Sequence, residues 1–355
     1  MTDSNLSCVL LGPGKVRFER RPTPQIVDPH DVLVQIGYVG VCGSDVHFWM
    51  HGGITRKVSE ESPLVMGHEA SGTVHSVGSA VTRLKPGDRV AIEPGIPCRR
   101  CNRCKSGKYN LCPRMRFAAD PPKTDGTLCH LFKVPEDFAY KIPDSLSLQE
   151  AVLVEPLSVA VHGVRLADLK AGQTVLVQGS GTIGLLAAAT AKAYGAKAVF
   201  IADINETKLG FAKSFGYVAF VSDTSSTPFE DAERFKKEAC LEDGVDIVLE
   251  CTGVESSAQT GIYASAPGGT MVQIGMGKFN QSLPLGAMCE KETVLKTAFR
   301  YGPGDYDIAL ELLVSGKVSV KAMISSIVPF EDAPKAWERT RKGEGIKNLI
   351  EGVHV

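Results

Sequence analysis

The 355-residue sequence predicts an α/β protein of two domains, one β-rich and barrel-like, the other a doubly wound parallel sheet. Three observations carry this. From Cys8 to about Val90, short β-branched segments alternate with Pro and Gly turns, as in Asp31-Val-Leu-Val-Gln-Ile-Gly-Tyr-Val, Gly72-Thr-Val-His-Ser-Val and Leu84-Lys-Pro-Gly-Asp. From Gln173 onward, fully apolar strands alternate with helical stretches, the pattern of strands buried on both faces. Between these two textures lies a stretch crowded with cysteine, Arg, Lys, Asn and Gly, where regular structure has little to build on.

Composition narrows the function classes. The chain is 43% hydrophobic and 22% charged, ordinary for a globular protein, and its net charge of -1 leaves no footprint for nucleic acid or an anionic membrane. No apolar run approaches the ~20 residues of a membrane span. Met1 to Ser7 are polar, unlike the apolar core of a secretory signal, so a cytoplasmic protein is expected. Of the ten cysteines four are clustered and six scattered, which suits metal ligands plus buried thiols in a reducing compartment better than a disulfide framework.

The cluster is Cys98-x2-Cys101-x2-Cys104-x7-Cys112. Four sulfurs at these intervals can converge on one ion, and an all-thiolate set describes a closed, structural zinc site. An iron–sulfur centre is the competitor, since Cys112-Pro113 echoes a ferredoxin run. That run places its fourth cysteine after three residues rather than seven. A closed site has no open position for chemistry, so its expected role is to pin an irregular loop.

A second constellation is Cys42 with His68 and Glu69. Taken singly, a Cys or His is most often core filling. Together, a thiolate, an imidazole and a carboxylate are three ligand types that one zinc accepts, with a fourth position left for water or substrate. Cys42 lies in Gly40-Val-Cys-Gly-Ser-Asp-Val-His47, where Ser44 and His47 offer proton-handling groups. Glu155, embedded in Ala151-Val-Leu-Val-Glu-Pro-Leu-Ser, either starts a helix facing water or faces a cation inside.

The strand Gln173–Gln178 runs into Gly179-Ser-Gly181-Thr-Ile-Gly184 and then an alanine-rich helix from Leu185 to Tyr194. A G-x-G-x-x-G set alone is weak. Between a strand and a helix, with Asp203 ending the next strand, it is the signature of a dinucleotide site. The glycines let backbone approach a pyrophosphate, and the helix start supplies free N–H groups. Asp203 can accept from ribose hydroxyls and would repel a 2′-phosphate, which favours NAD over NADP. Lys208 is equally a solvated lysine or a neighbour of the adenosine. Strands at Asp246–Cys251 and Thr270–Gly275, and helices from Glu255 and over Tyr306–Val314, complete the reading. No flexible spacer separates the domains, so the cleft between them is the expected active site.

These motifs together resemble the zinc-dependent medium-chain dehydrogenase/reductase family over essentially the whole chain, and within it the polyol branch. The carrying stretches are Gly-Val-Cys42-Gly-Ser-Asp-Val-His47-Phe-Trp, Gly67-His-Glu-Ala-Ser-Gly, Val154-Glu-Pro-Leu-Ser-Val-Ala and Phe299-Arg-Tyr-Gly. The resemblance implies a GroES-like catalytic domain from residues 1–154 and 299–355 and a Rossmann NAD-binding domain from 155–298. It implies a catalytic zinc at Cys42, His68 and Glu69, with Glu155 as a second carboxylate bound directly or through water. It implies a structural zinc at Cys98, Cys101, Cys104 and Cys112. Cofactor contacts fall on Gly179, Gly181, Thr182, Ile183, Gly184, Asp203, Lys208, Ile274, Ala298, Phe299 and Arg300. Substrate contacts fall on Phe48, Phe117, Glu155, Arg300 and Tyr301. Sorbitol dehydrogenases of the branch carry tyrosine where Phe48 stands, which argues against a sorbitol specialist. The implied reaction is NAD-dependent oxidation of a secondary alcohol on a polyol, xylitol first, L-arabinitol and sorbitol next, with Ser44 and His47 carrying the proton. A non-catalytic nucleotide-binding relative would lack Cys42, His68, Glu69 or Ser44. A homotetramer is implied more weakly.

Overall fold

The computed structural model describes residues 4–53, 57–120 and 124–354. The chain forms two compact units, Met1–Glu155 with Gly302–Val355, and Pro156–Tyr301.

The first unit is built mainly on antiparallel strands, as the Pro/Gly punctuation implies, with Ile324–Val328 and Lys347–Glu351 pairing in parallel. Its main sheet runs Ala139–Lys141, Arg89–Ile92, Glu69–Val77, Asp31–Gly40, Lys347–Glu351, Ile324–Val328, with Leu131–Pro135 also pairing Asp31–Gly40. Alternating apolar residues face one core, in which Val34, Ile36, Val74, Val90, Ile92, Phe330 and Trp337 are buried. Asp31–Gly40 is therefore a central strand, and it carries the chain into Cys42. Its partner Lys347–Glu351 comes from the far end of the sequence, with Leu349 opposite Gly40.

The second unit holds the expected doubly wound sheet. Six parallel strands lie in the order Val218–Val221, Ala198–Asp203, Thr174–Gln178, Val245–Glu250, Ser265–Gln273, Val294–Thr297. The central strand Thr174–Gln178 is apolar because both of its faces are covered; Val175, Leu176 and Val177 are buried. The helix Thr182–Ala193 follows it through the glycine turn. The helix opens three residues earlier than the alanine run suggested, because Gly181 caps it and Thr182 to Gly184 form its first turn. Among the described residues, no helix is long and apolar enough to cross a membrane.

Candidate active site and metal centres

Strand pairing assembles the first cluster. Gly40 lies opposite Glu69 in the register of Asp31–Gly40 against Glu69–Val77. A Cβ at Gly40 would come 2.2 Å from Glu69 Oε2, so the missing side chain is the space the carboxylate occupies. Two residues on, Cys42 caps the helix Gly43–His51, and Asp45 in its first turn accepts from the Cys42 N–H at 2.9 Å. Gly67 takes φ 88°, a left-handed turn that delivers His68. The ligand atoms of Cys42, His68 and Glu69 all lie within 4.8 Å of one another.

Two buried partners surround this cluster: Asp45, from the same stretch as Cys42, and Lys347, from the far end of the chain. Asp45 Oδ1 stands 3.5 Å from His68 Nδ1, and an imidazole engaged at Nδ1 presents Nε2 to a metal. Burial alone would lower the His68 pKa; the Asp45 carboxylate outweighs it and lifts the imidazole well above its usual value. Lys347 donates to both Glu69 oxygens, at 2.7 and 2.9 Å, and to the Val41 carbonyl at 3.0 Å. One ammonium thus holds the carboxylate and the backbone beside Cys42. Lys347 opens the strand Lys347–Glu351, and no local feature of the sequence marks it for this role.

Glu155 sits in the first turn of the helix Val154–Ala167 and is 5% exposed, so of its two sequence readings the water-facing one is excluded. Its charge is felt at Lys347 and Tyr306. Ser44 and His47 lie three apart on the helix Gly43–His51, hence on one face. His47 is exposed, and burial of part of its ring, with His51 and Lys57 nearby, lowers its pKa. Phe48 is half-buried on the same helix, and the Phe117 ring lies 5.7 Å from the His68 ring.

The four clustered cysteines converge too, their sulfurs within 4.8 Å of one another. Cys98–Cys104, Cys101–Cys104 and Cys101–Cys112 are 4.0, 3.5 and 3.8 Å apart. A tetrahedron of ~2.3 Å zinc–sulfur bonds has edges of about 3.8 Å, so the set fits zinc. Arg99 takes φ 61°, and the N–H groups of Arg100 and Cys101 turn onto Cys98, which is pushed down to about 5. Burial and the neighbouring sulfurs push Cys104 up to about 12, the mark of thiols that need a cation to ionise together.

The lobe is tied to the barrel by a buried acid. Glu93 is 1% exposed and accepts from Tyr109 Oη at 2.6 Å and Tyr140 Oη at 2.9 Å. Burial raises it from 4.5 to about 7. A raised carboxyl contributes stability that is complete below about 4.5 and lost as pH rises through about 7. The loss is at most about 3 kcal/mol. Denaturant titrations of Glu93→Gln against the parent should therefore converge at low pH and diverge towards pH 8. Equal pH dependence would remove Glu93 as the titrating group.

In the second unit, Gly179 has φ 97°, and a Cβ at Gly184 would lie 1.8 Å from the Gly179 carbonyl oxygen. Gly181 has nothing within 4 Å of its own Cβ position, which leaves open space over the helix start where a phosphate fits. Asp203 Oδ2 accepts from Ser180 N at 2.6 Å and Ser180 Oγ at 2.7 Å, so the loop and the acid are locked together. Ser180 stands between two glycines of the loop, and only the fold brings Asp203 to it. Thr182 and Ile183 open the helix, and Lys208 lies half-buried in the first turn of Glu206–Ser214. Ile274 is buried just after Ser265–Gln273. Ala298, Phe299, Arg300 and Tyr301 follow Val294–Thr297; Arg300 takes φ 55° and lies 4.8 Å over the Phe299 ring.

Comparison with known proteins agrees with this chemistry. Residues 28–144 match the alcohol dehydrogenase GroES-like domain, and residues 182–315 match the zinc-binding dehydrogenase domain. The D-xylulose reductase A of Aspergillus oryzae is 52% identical over 354 residues, spanning 100% of this chain and 98% of that protein. The solved L-idonate 5-dehydrogenase of Escherichia coli is 27% identical with TM-score 0.88, covering 98% of each chain. A Sinorhizobium meliloti protein solved with NADP is 28% identical with TM-score 0.88, covering 98% of this chain and 99% of that one. The chain belongs to the zinc-dependent medium-chain dehydrogenase/reductase family, in its polyol branch, and is an oxidoreductase of zinc and a nicotinamide cofactor.

Proposed function

We propose that this enzyme interconverts xylitol and D-xylulose with NAD. Full-length identity of 52% to a D-xylulose reductase carries the substrate assignment. NAD is favoured because Asp203, fixed by Ser180, offers a carboxylate to ribose hydroxyls and opposes a 2′-phosphate. In this reading Cys98, Cys101, Cys104 and Cys112 hold a structural zinc, and Cys42, His68 and Glu69, with Glu155 near, hold a catalytic one. Assembly as a cytoplasmic homotetramer belongs to the same reading.

Zinc bound at Cys42, His68 and Glu69 would supply Lewis acidity to a substrate hydroxyl, and the nicotinamide would supply the hydride acceptor. The chain's own residues do the rest. Ser44 accepts the hydroxyl proton, and His47, kept neutral at pH 7 by its lowered pKa, carries it outward. Phe48 and Phe117 offer apolar walls to the carbon chain. Glu155, Arg300 and Tyr301 supply polar groups to flanking hydroxyls, and a site whose polar groups need hydroxyl partners rejects simple alcohols.

The decisive assay is NAD and NADP reduction with xylitol, L-arabinitol, D-sorbitol and ethanol, before and after chelation. Xylitol with NAD should lead, ethanol should be poor, and chelation should abolish turnover. Another polyol in the lead would replace the substrate assignment. For the proton path, Ser44→Ala should lower kcat by about 10²-fold with little change in KM. Undiminished turnover would remove Ser44 from it.

A further inference from the structure

The zinc lobe is chemically unlike the rest of the chain. Residues 97–119 carry seven Lys and Arg and no Asp or Glu, in a protein of net charge -1. Beside the lobe, within the first unit, lies a concavity of about 1070 Å³, the size of a small-molecule site, lined in part by Arg100, Arg114 and Arg116.

Charge pairing decides what this concavity can hold. Every carboxylate lining it already has a donor. Asp28 accepts from the His30 N–H at 3.0 Å, and Asp31 meets Lys133 at 3.3 Å. Asp125 meets Arg21 at 3.2 Å, and Asp137 meets Arg99 at 2.7 Å. Glu136 accepts from the backbone N–H groups of Thr82 and Arg83. Arg114 leans on Cys98 Sγ at 3.3 Å. Arg100 and Arg116 line the concavity too and have no acidic partner among the described residues, so two guanidinium groups there are left for a ligand. Phe117 faces the His68 ring, and Arg116, its neighbour on the strand Arg116–Phe117, points to the opposite side. Ile96 is the cross-strand partner of Arg116, and Ile96 and Phe132 add apolar surface to the lining.

We propose that this concavity binds a small phosphorylated molecule, its phosphate held by Arg100 and Arg116 and its body resting on Ile96 and Phe132. Guanidinium pairs are the usual partners of phosphate, and their charge-assisted hydrogen bonds are the strong ones. The site is separate from the residues assigned to dehydrogenation.

Calorimetric titration of the full, zinc-loaded chain, saturated with NAD so that the glycine loop is filled, tests this. The probes are inorganic phosphate and phenyl phosphate at about 0.15 M salt. One site per chain is expected, with phenyl phosphate the tighter ligand. Arg100→Gln with Arg116→Gln should weaken it about ten- to a hundredfold while xylitol turnover stays at the parent rate. Arg100 lies between two zinc ligands, so zinc per chain is measured alongside, and Arg116→Gln alone is the variant of record if the double loses zinc. Absence of saturable binding, or equal binding by the arginine variants, would overturn the site. Binding of phosphate alone, with no gain from the phenyl group, would overturn the apolar seat. Retention of nucleic acid but neither probe would replace the proposal with a macromolecular surface.

Discussion

Lys347→Met is expected to cost the first unit about 3–5 kcal/mol, because it leaves the Glu69 carboxylate buried without its cation. Glu69 is 1% exposed and Lys347 2%, so water cannot replace the lost ammonium without opening the core. The same change releases the Val41 carbonyl, next to Cys42, and zinc affinity should fall by about 10–100-fold. Denaturant unfolding and zinc content by metal analysis read the two effects separately. Lys347→Arg keeps the charge and should recover part of both. A methionine variant with parental stability and full zinc content would show that the ion pair positions nothing.

The glycine loop yields the second large effect, through two contrasting alanines. Gly184→Ala places a Cβ 1.8 Å from the Gly179 oxygen, a backbone atom that cannot swing aside. The helix Thr182–Ala193 must back away from its strand, at a cost of ~3 kcal/mol to the second unit. Gly181→Ala meets nothing within 4 Å in the free protein, so its fold should be untouched. Its methyl would instead stand in the open space over the helix start, and NADH affinity should drop at least about tenfold. Thermal melting and NADH fluorescence titration distinguish the pair. If Gly181→Ala bound NADH as the parent does, the dinucleotide would not lie over this turn.

Those features were legible in the sequence because they are local. A strand, three glycines and a helix follow one another within residues 174–193, and the doubly wound sheet repeats one pattern that periodicity reports. The convergence of the four clustered cysteines was legible for the same reason, four sulfurs lying within fifteen residues. What was not legible depends on register across the fold. Asp45 reaches His68, and Lys347 reaches Glu69, only because the strand Asp31–Gly40 pairs with both Glu69–Val77 and Lys347–Glu351. No local pattern marks Glu93, because its two tyrosine partners, Tyr109 and Tyr140, come from separate segments. Ser180 meets Asp203 only because the next strand brings the acid beside it.

The pairing of Glu69 with Lys347 also sets an order of events during synthesis. The two are 278 residues apart, which at about 5–20 residues per second is roughly 15–55 s of translation. The four lobe cysteines all emerge long before Lys347, so that metal can be captured on the ribosome. Over the same interval Cys42, His68 and Glu69 stand without the ammonium that secures them. Glu69 thus receives its cation from the strand Lys347–Glu351, made only after the whole of the second unit, Pro156–Tyr301, has been synthesised.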